Sequence, residues 1–280
     1  MKKLVIIDST SIGLFKEILR NAGRPASNGR RKGGIKVHTA IRATEDVPCL
    51  IKISSAATND KTFLKYLSLP RGSVVVMDLG YRNYSIYNQW TKAGVTWVTK
   101  LHSTSIVNIL CNKPISNYQK ENGVISDQYI RLGHKSKQIE KVYCRLITYR
   151  DPESGKIFKF LTNHRKWSPL TIASIYKRRW QIELLFKRIK QNFLANYFLG
   201  DSENALRIQL LCMLIADLLL IVLTKRVKRK WYFANLSSMI RIHIMSYIDI
   251  IEFLNDPEKA RIKREYPVKT TSHQLALFPT

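Results

Sequence analysis

Three carboxylates and one polar stripe are the parts of this sequence whose types and spacing could do chemistry. Asp8 follows the apolar run Leu4-Val5-Ile6-Ile7, and Asp78 follows Ser73-Val74-Val75-Val76-Met77. Each run reads as a strand, the second buried on both faces. Neighbouring strands that end this way present both carboxylates at one edge of a sheet. Glu183 lies farther on, in a segment of helical periodicity. Carboxylates converging from separate elements offer magnesium hard oxygen ligands and leave positions open for a substrate phosphate. A single Asp at a strand end is by default a turn residue, so the two aspartates alone are weak evidence.

The segment around Glu183 is more informative. Ser168-Pro169 supplies an N-cap and a first helical residue, which predicts one helix running to about Lys190. Tyr176, Arg179, Glu183 and Lys190 are spaced by three, four and seven residues. At about 100° per residue they fall within an arc of roughly 60° and form one stripe. Ile175, Ile182, Leu185 and Ile189 cluster on the other side and should pack on the sheet, aiming the stripe outward. Phenol, guanidinium, carboxylate and ammonium in a row suit a DNA phosphate. The carboxylate would hold a metal, Arg179 and Lys190 would neutralise phosphate oxygens, and Tyr176 would hydrogen-bond or stack on a base. A solvated face with ordinary Arg–Glu pairing, worth about 0.2–0.5 kcal/mol, fits the spacing equally well.

The elements that must position these groups follow an α/β pattern. Strand-like stretches occur at Leu4 to Ile7, Ile35 to Ala43, Cys49 to Ile53 and Ser73 to Met77, with a basic, Gly-containing loop at 23–34 and a helical stretch at 62–67. From Thr96 to Leu161 the texture becomes β-rich, with runs at 128–132, 142–149 and 157–161 and a polar turn at Asp151-Pro152-Glu153-Ser154-Gly155. Further helices are expected around 204–225, 231–243 and 248–255, and the last residues read as a loose tail.

Composition bounds the partner. The 280 residues are 45% apolar and carry 47 Lys and Arg against 20 Asp and Glu, a formal charge of +27. A chain of this make-up folds around a core, and so large an imbalance calls for a polyanion, most simply nucleic acid. Cys49, Cys111, Cys144 and Cys212 lack zinc-type spacing and read as reduced thiols of a cytoplasmic protein. No ligand spacing links the six histidines. Met1-Lys2-Lys3 leads directly to Asp8 without a signal-type segment, so export is not expected. The longest apolar stretch, Ile208 to Leu223, is interrupted by Gln209 and Asp217 and falls short of the ~20 residues of a membrane span, so it reads as a buried core helix.

The segment Tyr176-Lys-Arg-Arg179-Trp180-Gln-Ile-Glu183, with Lys190 seven residues on, resembles the Y-R-E-K signature of the insertion sequence 4 family of DDE transposases at all four positions. Asp8 in Ile6-Ile7-Asp8-Ser9-Thr10, with the basic loop and Gly33-Gly34-Ile35-Lys36-Val37-His38 after it, resembles the family's first-aspartate region. Asp78 in Val76-Met77-Asp78-Leu79-Gly80-Tyr81 resembles the second. The resemblance implies an RNase H-like α/β fold, a mixed sheet flanked by helices, with a β-rich insertion between the second aspartate and the glutamate. The 105 positions separating Asp78 from Glu183 leave room for it. The expected divisions are residues 1–95 for the first part of the core, 96–165 for the insertion, 166–200 for the signature helix, 201–269 for C-terminal helices and 270–280 for the tail.

By the same resemblance Asp8, Asp78 and Glu183 are the catalytic, metal-binding carboxylates, holding two Mg2+ ions with Mn2+ as a substitute. Tyr176, Arg179 and Lys190 would hold DNA at the transposon end, and Trp180 would either contact an unstacked base or sit in the core. The implied activity is hydrolysis and strand transfer at transposon ends, on double-stranded DNA, by a homodimer in the bacterial cytoplasm and not at a membrane. Only seven residues precede Asp8, where the family carries an N-terminal DNA-binding domain, so a truncated or split product is expected. Two other readings remain open: a non-catalytic DNA-binding remnant that inhibits transposition, and a stand-alone nuclease on the same fold.

Overall fold

The structure is a computed structural model, and it describes residues 3–13, 23–25, 31–133, 141–193, 202–246 and 248–259. The chain divides into two compact units, residues 1–210 and 211–280.

The first unit is built on one large mixed sheet. Its strands are β1 (Leu4–Gly13), β2 (Gly23–Pro25), β3 (Arg31–Arg42), β4 (Val47–Ser55), β5 (Val74–Met77), β6 (Thr96–Lys100), β7 (Ile106–Asn112), β8 (Val124–Gly133), β9 (Val142–Arg150) and β10 (Ile157–Thr162). Across the sheet they run β3-β1-β5-β6-β10-β9-β8-β7, with β4 on the outer side of β3 and β2 paired to the first residues of β3. β5 is parallel to both β1 and β6, whereas β3 runs antiparallel to β1 and β4. Three antiparallel strands followed by two parallel ones form the mixed core expected of an RNase H-like domain. The stretch 96–165 supplies β6 to β10, and all five strands join this same sheet.

Val75, Val76 and Met77 are fully buried, as a strand covered on both faces requires. One face packs on α1 (Tyr84–Lys92), whose Asn83 cap accepts from the Ile86 amide; Tyr87 of α1 stacks on Trp97 of β6 at 4.5 Å. The short α2 (Asn117–Glu121) begins with a reciprocal capping box at Ser116 and Gln119.

The expected strands are all present, and several are longer than their apolar runs. β1 continues through Asp8-Ser9-Thr10-Ser11 to Gly13 because β3 keeps pairing with it, from Val5 opposite Arg42 to Gly13 opposite Gly34. Residues 62–67 fall mostly in a 3-10 helix, Asp60–Tyr66, and not in an α-helix. The expected helix from Pro169 to Lys190 is two helices, α3 (Pro169–Lys177) and α4 (Trp180–Asn192). At the join the amides of Arg178, Arg179, Gln181 and Ile182 each reach a carbonyl three residues back, a tightening of 3-10 type that shifts the two helical faces relative to each other.

α5 (Glu203–Arg226) spans the boundary between the units, and α6 (Phe233–His243) and α7 (Ile250–Asn255) belong to the second. In that unit Val227, Leu236 and Leu254 form a small core, and the Trp231 indole donates to the Leu254 carbonyl at 2.8 Å. α5 matches the expected helix at 204–225 in extent but is less buried than the core helix expected there. It has 24 residues and is long and apolar enough by length and composition to cross a membrane, and 33% of its apolar window is buried. Gln209 and Asp217 do not interrupt it, since single polar residues leave the helical backbone bonds intact. The 270–280 tail lies outside the described residues.

Candidate active site

Two features of the sheet bring the aspartates together. Ile7 of β1 is the register partner of Met77 of β5, and the strands are parallel. Asp8 and Asp78 therefore leave neighbouring strands at the same level, about 4.8 Å apart in the backbone. β5 ends there, with Asp78 opening a 3-10 turn over Leu79–Tyr81, while β1 runs on. α4 packs against β1 and carries Glu183 in its first turn.

Arg179, at the join of α3 and α4, ties these parts together. Its Nη1 donates to Asp8 Oδ2 at 2.7 Å and its Nη2 to Glu183 Oε1 at 2.5 Å. Three residues earlier, the Tyr176 hydroxyl donates to Asp78 Oδ1 at 3.2 Å. One turn of backbone thus holds all three carboxylates. The 3-10 tightening makes this possible, because residues three apart eclipse one another there. The Asp8 side chain is 17% exposed, Arg179 13% and Glu183 32%.

Burial governs the electrostatics. It lifts the Asp8 carboxyl to about 6; the Ser9 amide at 2.8 Å and the Arg179 cation oppose the rise, and the Asp78 and Glu183 charges add to it. Burial also pushes the Tyr176 phenol up, so this hydroxyl is a neutral donor. Arg179 is held above the usual guanidinium range: burial works against its charge, but Tyr176, Glu183 and Asp8 outweigh it. Its Nε is buried and has no hydrogen-bond partner among the described residues.

The polar stripe does not point outward as its spacing predicts. Tyr176 is 6% exposed, tilted against Phe160 with ring centroids 4.9 Å apart, because the join turns it toward the sheet edge. Ile175, Ile182, Leu185 and Ile189 are buried as expected. Asp8, Asp78, Tyr176, Arg179 and Glu183 come together. Lys190 does not join them: it lies about two turns beyond Glu183 and donates to the Ser11 carbonyl at 3.1 Å. Trp180 is 59% exposed, which excludes the core position.

Several residues here escape a reading of the sequence. Beneath Asp8, on the other face of β1, the Ser9 hydroxyl donates to Asp60 Oδ1 at 2.9 Å, and Lys36 pairs with the same oxygen at 3.1 Å. His38 lies 3.5 Å from the Tyr81 hydroxyl and 3.1 Å from Ser54 Oγ. Gly80 leaves room for this carboxylate, since a Cβ there would stand 3.0 Å from Asp60 Oδ2. No motif marks Asp60; only the strand register and the 3-10 turn place it there. Arg145 and Asp127 form a bidentate pair at 2.7 and 2.6 Å, 1% and 2% exposed. Arg145 Nη1 also donates to the carbonyls of His164 and Trp167, fixing the chain that leads from β10 into α3.

A mixed sheet of this order, with paired carboxylates at its parallel edge and a glutamate on the helix beside them, defines the class of DDE-type RNase H-like proteins. The comparisons with known proteins agree: residues 1–219 match the transposase DDE domain family, and the chain belongs to it. A putative transposase of Sinorhizobium fredii is 34% identical over 218 residues, covering 78% of this chain and 60% of that protein. A probable insertion-sequence transposase of Geobacillus stearothermophilus is 26% identical over 235 residues, covering 82% of this chain and 59% of that protein. The chain thus spans less than two thirds of these relatives' length. Among solved structures, a piggyBac transposase in a synaptic complex with hairpin DNA aligns with 96% of this chain and 55% of its own, at a TM-score of 0.51 and 13% identity. That likeness concerns the fold alone.

Proposed function

We propose that this chain is the catalytic part of a DNA transposase, cutting and joining phosphodiester bonds at transposon ends with Asp8, Asp78 and Glu183. The observation that carries this reading is the convergence of three carboxylates from β1, the end of β5 and α4 on one partly buried point. The insertion sequence 4 family is the subtype that the Tyr176, Arg179, Glu183 and Lys190 spacing supports.

Transposases of the DDE family work with divalent metal ions, and the donor set suits them. Three hard-oxygen ligands are linked through Tyr176 and Arg179, and the pressure of burial and neighbouring charge on Asp8 is what a bound cation would relieve. Asp78 Oδ2 and Glu183 Oε2 accept no hydrogen bond from the described residues. In the present arrangement no group of three such side chains closes to metal-binding geometry among the described residues, since Arg179 stands between Asp8 and Glu183. Bound there, two Mg2+ or Mn2+ ions would supply activation of the attacking oxygen and stabilisation of the leaving one.

The chain's own residues do the rest. Hydrolysis frees a 3′ hydroxyl at the element's end, and that hydroxyl then attacks the opposite strand or target DNA. Tyr176, buried and donating to Asp78, works by positioning that carboxylate and is not a nucleophile. Arg179 exchanges its carboxylate contacts for a phosphate, to which its planar fork is equally suited. Lys190 and the exposed Trp180 extend the DNA contact along α4. Transposition requires two ends to meet, so a homodimer is the working form.

The test is nicking and strand transfer on supercoiled plasmid with Mg2+ or Mn2+. Metal-dependent products that vanish in Asp78→Ala and Glu183→Ala support the proposal. DNA binding without any product in all three proteins would make the chain a non-catalytic remnant instead.

A further inference from the structure

Away from the carboxylates, the first unit carries a cavity of about 250 Å³ on the face of β3 and β4 that Ser9 shares, opposite Asp8. Ser9, His38 and Lys52 are register partners across β1, β3 and β4, so their side chains stand on that face. The floor is His38, 1% exposed and stacked on Phe63 at 5.3 Å. At the mouth stand Lys52, Lys65 and Tyr66.

The lysines form an unusual pair. Lys52 Nζ sits 3.4 Å and Lys65 Nζ 5.1 Å from the centre of the Tyr66 ring, so two ammonium groups converge on one half-exposed phenol. Neither has a carboxylate within ion-pair distance among the described residues. The nearby Asp60 is already engaged by Lys36 and Ser9 on the inner side. The two ammonium groups, Lys52 foremost, hold the Tyr66 hydroxyl below the usual phenol range. Two like charges drawn together beside a cavity repel each other unless an anion joins them.

We infer that this cavity is a second phosphate site, in which Lys52, Lys65 and the Tyr66 hydroxyl grip a backbone phosphodiester of DNA other than the one that reacts. The inference rests on the DNA-transposase reading above. β1, β3 and β4 run on past the end of β5, so the cavity and Asp8 lie on the two faces of one projecting edge, a single sheet thickness apart. A duplex engaged at the carboxylates would be gripped around that edge. A single phosphate is the natural occupant, because the cavity is small and Lys52 and Lys65 are the two lysines that line it.

The experiment is fluorescence anisotropy of the whole chain with a labelled DNA duplex over a range of salt concentrations. It compares the wild type, Lys52→Gln/Lys65→Gln, and a control that loses two exposed lysines elsewhere, Lys92→Gln/Lys156→Gln. One lost phosphate contact lowers the slope of log affinity against log salt by about 0.9. The expected result is a slope reduced by about 1 and affinity about 10-fold weaker at ~0.1 M salt in the cavity variant, with the control within about 2-fold of wild type. A cavity variant indistinguishable from the control overturns the site and leaves the transposase reading intact. Failure of the wild type to bind duplex DNA overturns both.

Discussion

Arg179 and Asp8 stand 171 residues apart in sequence and 2.7 Å apart in the fold, and the same guanidinium holds Glu183. Arg179 is therefore the counter-charge of the carboxylate cluster when no cation is bound. Replacing it with Gln should lower stability in chelator by about 1–2 kcal/mol, discounted from a fully buried pair for partial exposure. Added Mn2+ should then raise the melting temperature of the variant more than that of the wild type, because metal no longer competes with the guanidinium. An equal metal-induced shift in both proteins would show that the contact and the cation do not compete.

Tyr176 separates packing from positioning. Tyr176→Phe keeps the ring against Phe160 and removes only the hydroxyl on Asp78, so it should cost about 1 kcal/mol of stability. Tyr176→Ala empties a buried site and should cost about 3–5 kcal/mol. Denaturant unfolding distinguishes the two, and strand-transfer rates should fall in the Phe variant with little change in DNA affinity. A Phe variant weakened in DNA affinity alone would return Tyr176 to the role of a direct contact.

The site was legible where chemistry and local pattern coincide. Asp78 ends a four-residue buried strand, and Asp8 ends an apolar run, so both appear as carboxylates at a sheet edge. The strand after Asp8 was not legible, because Ser9, Thr10 and Ser11 have no apolar alternation and are strand only through β3. Periodicity likewise assumes one unbroken helix, and the tightening at Arg178 and Arg179 leaves no mark in residue type. That is why Tyr176 read as an outward contact and is buried on Asp78. Asp60 and the Arg145–Asp127 pair depend wholly on tertiary register.

The Arg145–Asp127 pair anchors the approach to α3. Asp127→Ala leaves a guanidinium 1% exposed without its partner and should destabilise the first unit by about 3–5 kcal/mol. Chemical denaturation followed by tryptophan fluorescence measures this. A loss below about 1 kcal/mol would mean that the three carbonyl contacts of Arg145 suffice to hold the loop.

His38 should make stability pH-dependent. Burial holds its pKa below the ordinary 6.5, with Lys36 and Lys52 acting in the same direction and Asp60 opposing them; Tyr81 and Ser54 are its neutral neighbours. A depressed folded-state value means that the unfolded chain binds the proton first. This contribution is therefore complete above about pH 6.5 and is lost as pH falls through the lower folded value. Melting temperatures from pH 8 to 5 should fall less steeply for His38→Gln than for wild type. Parallel curves would exclude the effect.

Whether Asp8, Asp78 and Glu183 form one metal-binding centre is tested by titrating the whole chain with Mn2+ and following electron paramagnetic resonance. Wild type should bind Mn2+, and Asp8→Ala, Asp78→Ala and Glu183→Ala should each weaken binding at least about 10-fold, the range expected when a ligand or its support is lost. Unchanged binding in any of the three variants, with the fold intact, would contradict such a centre.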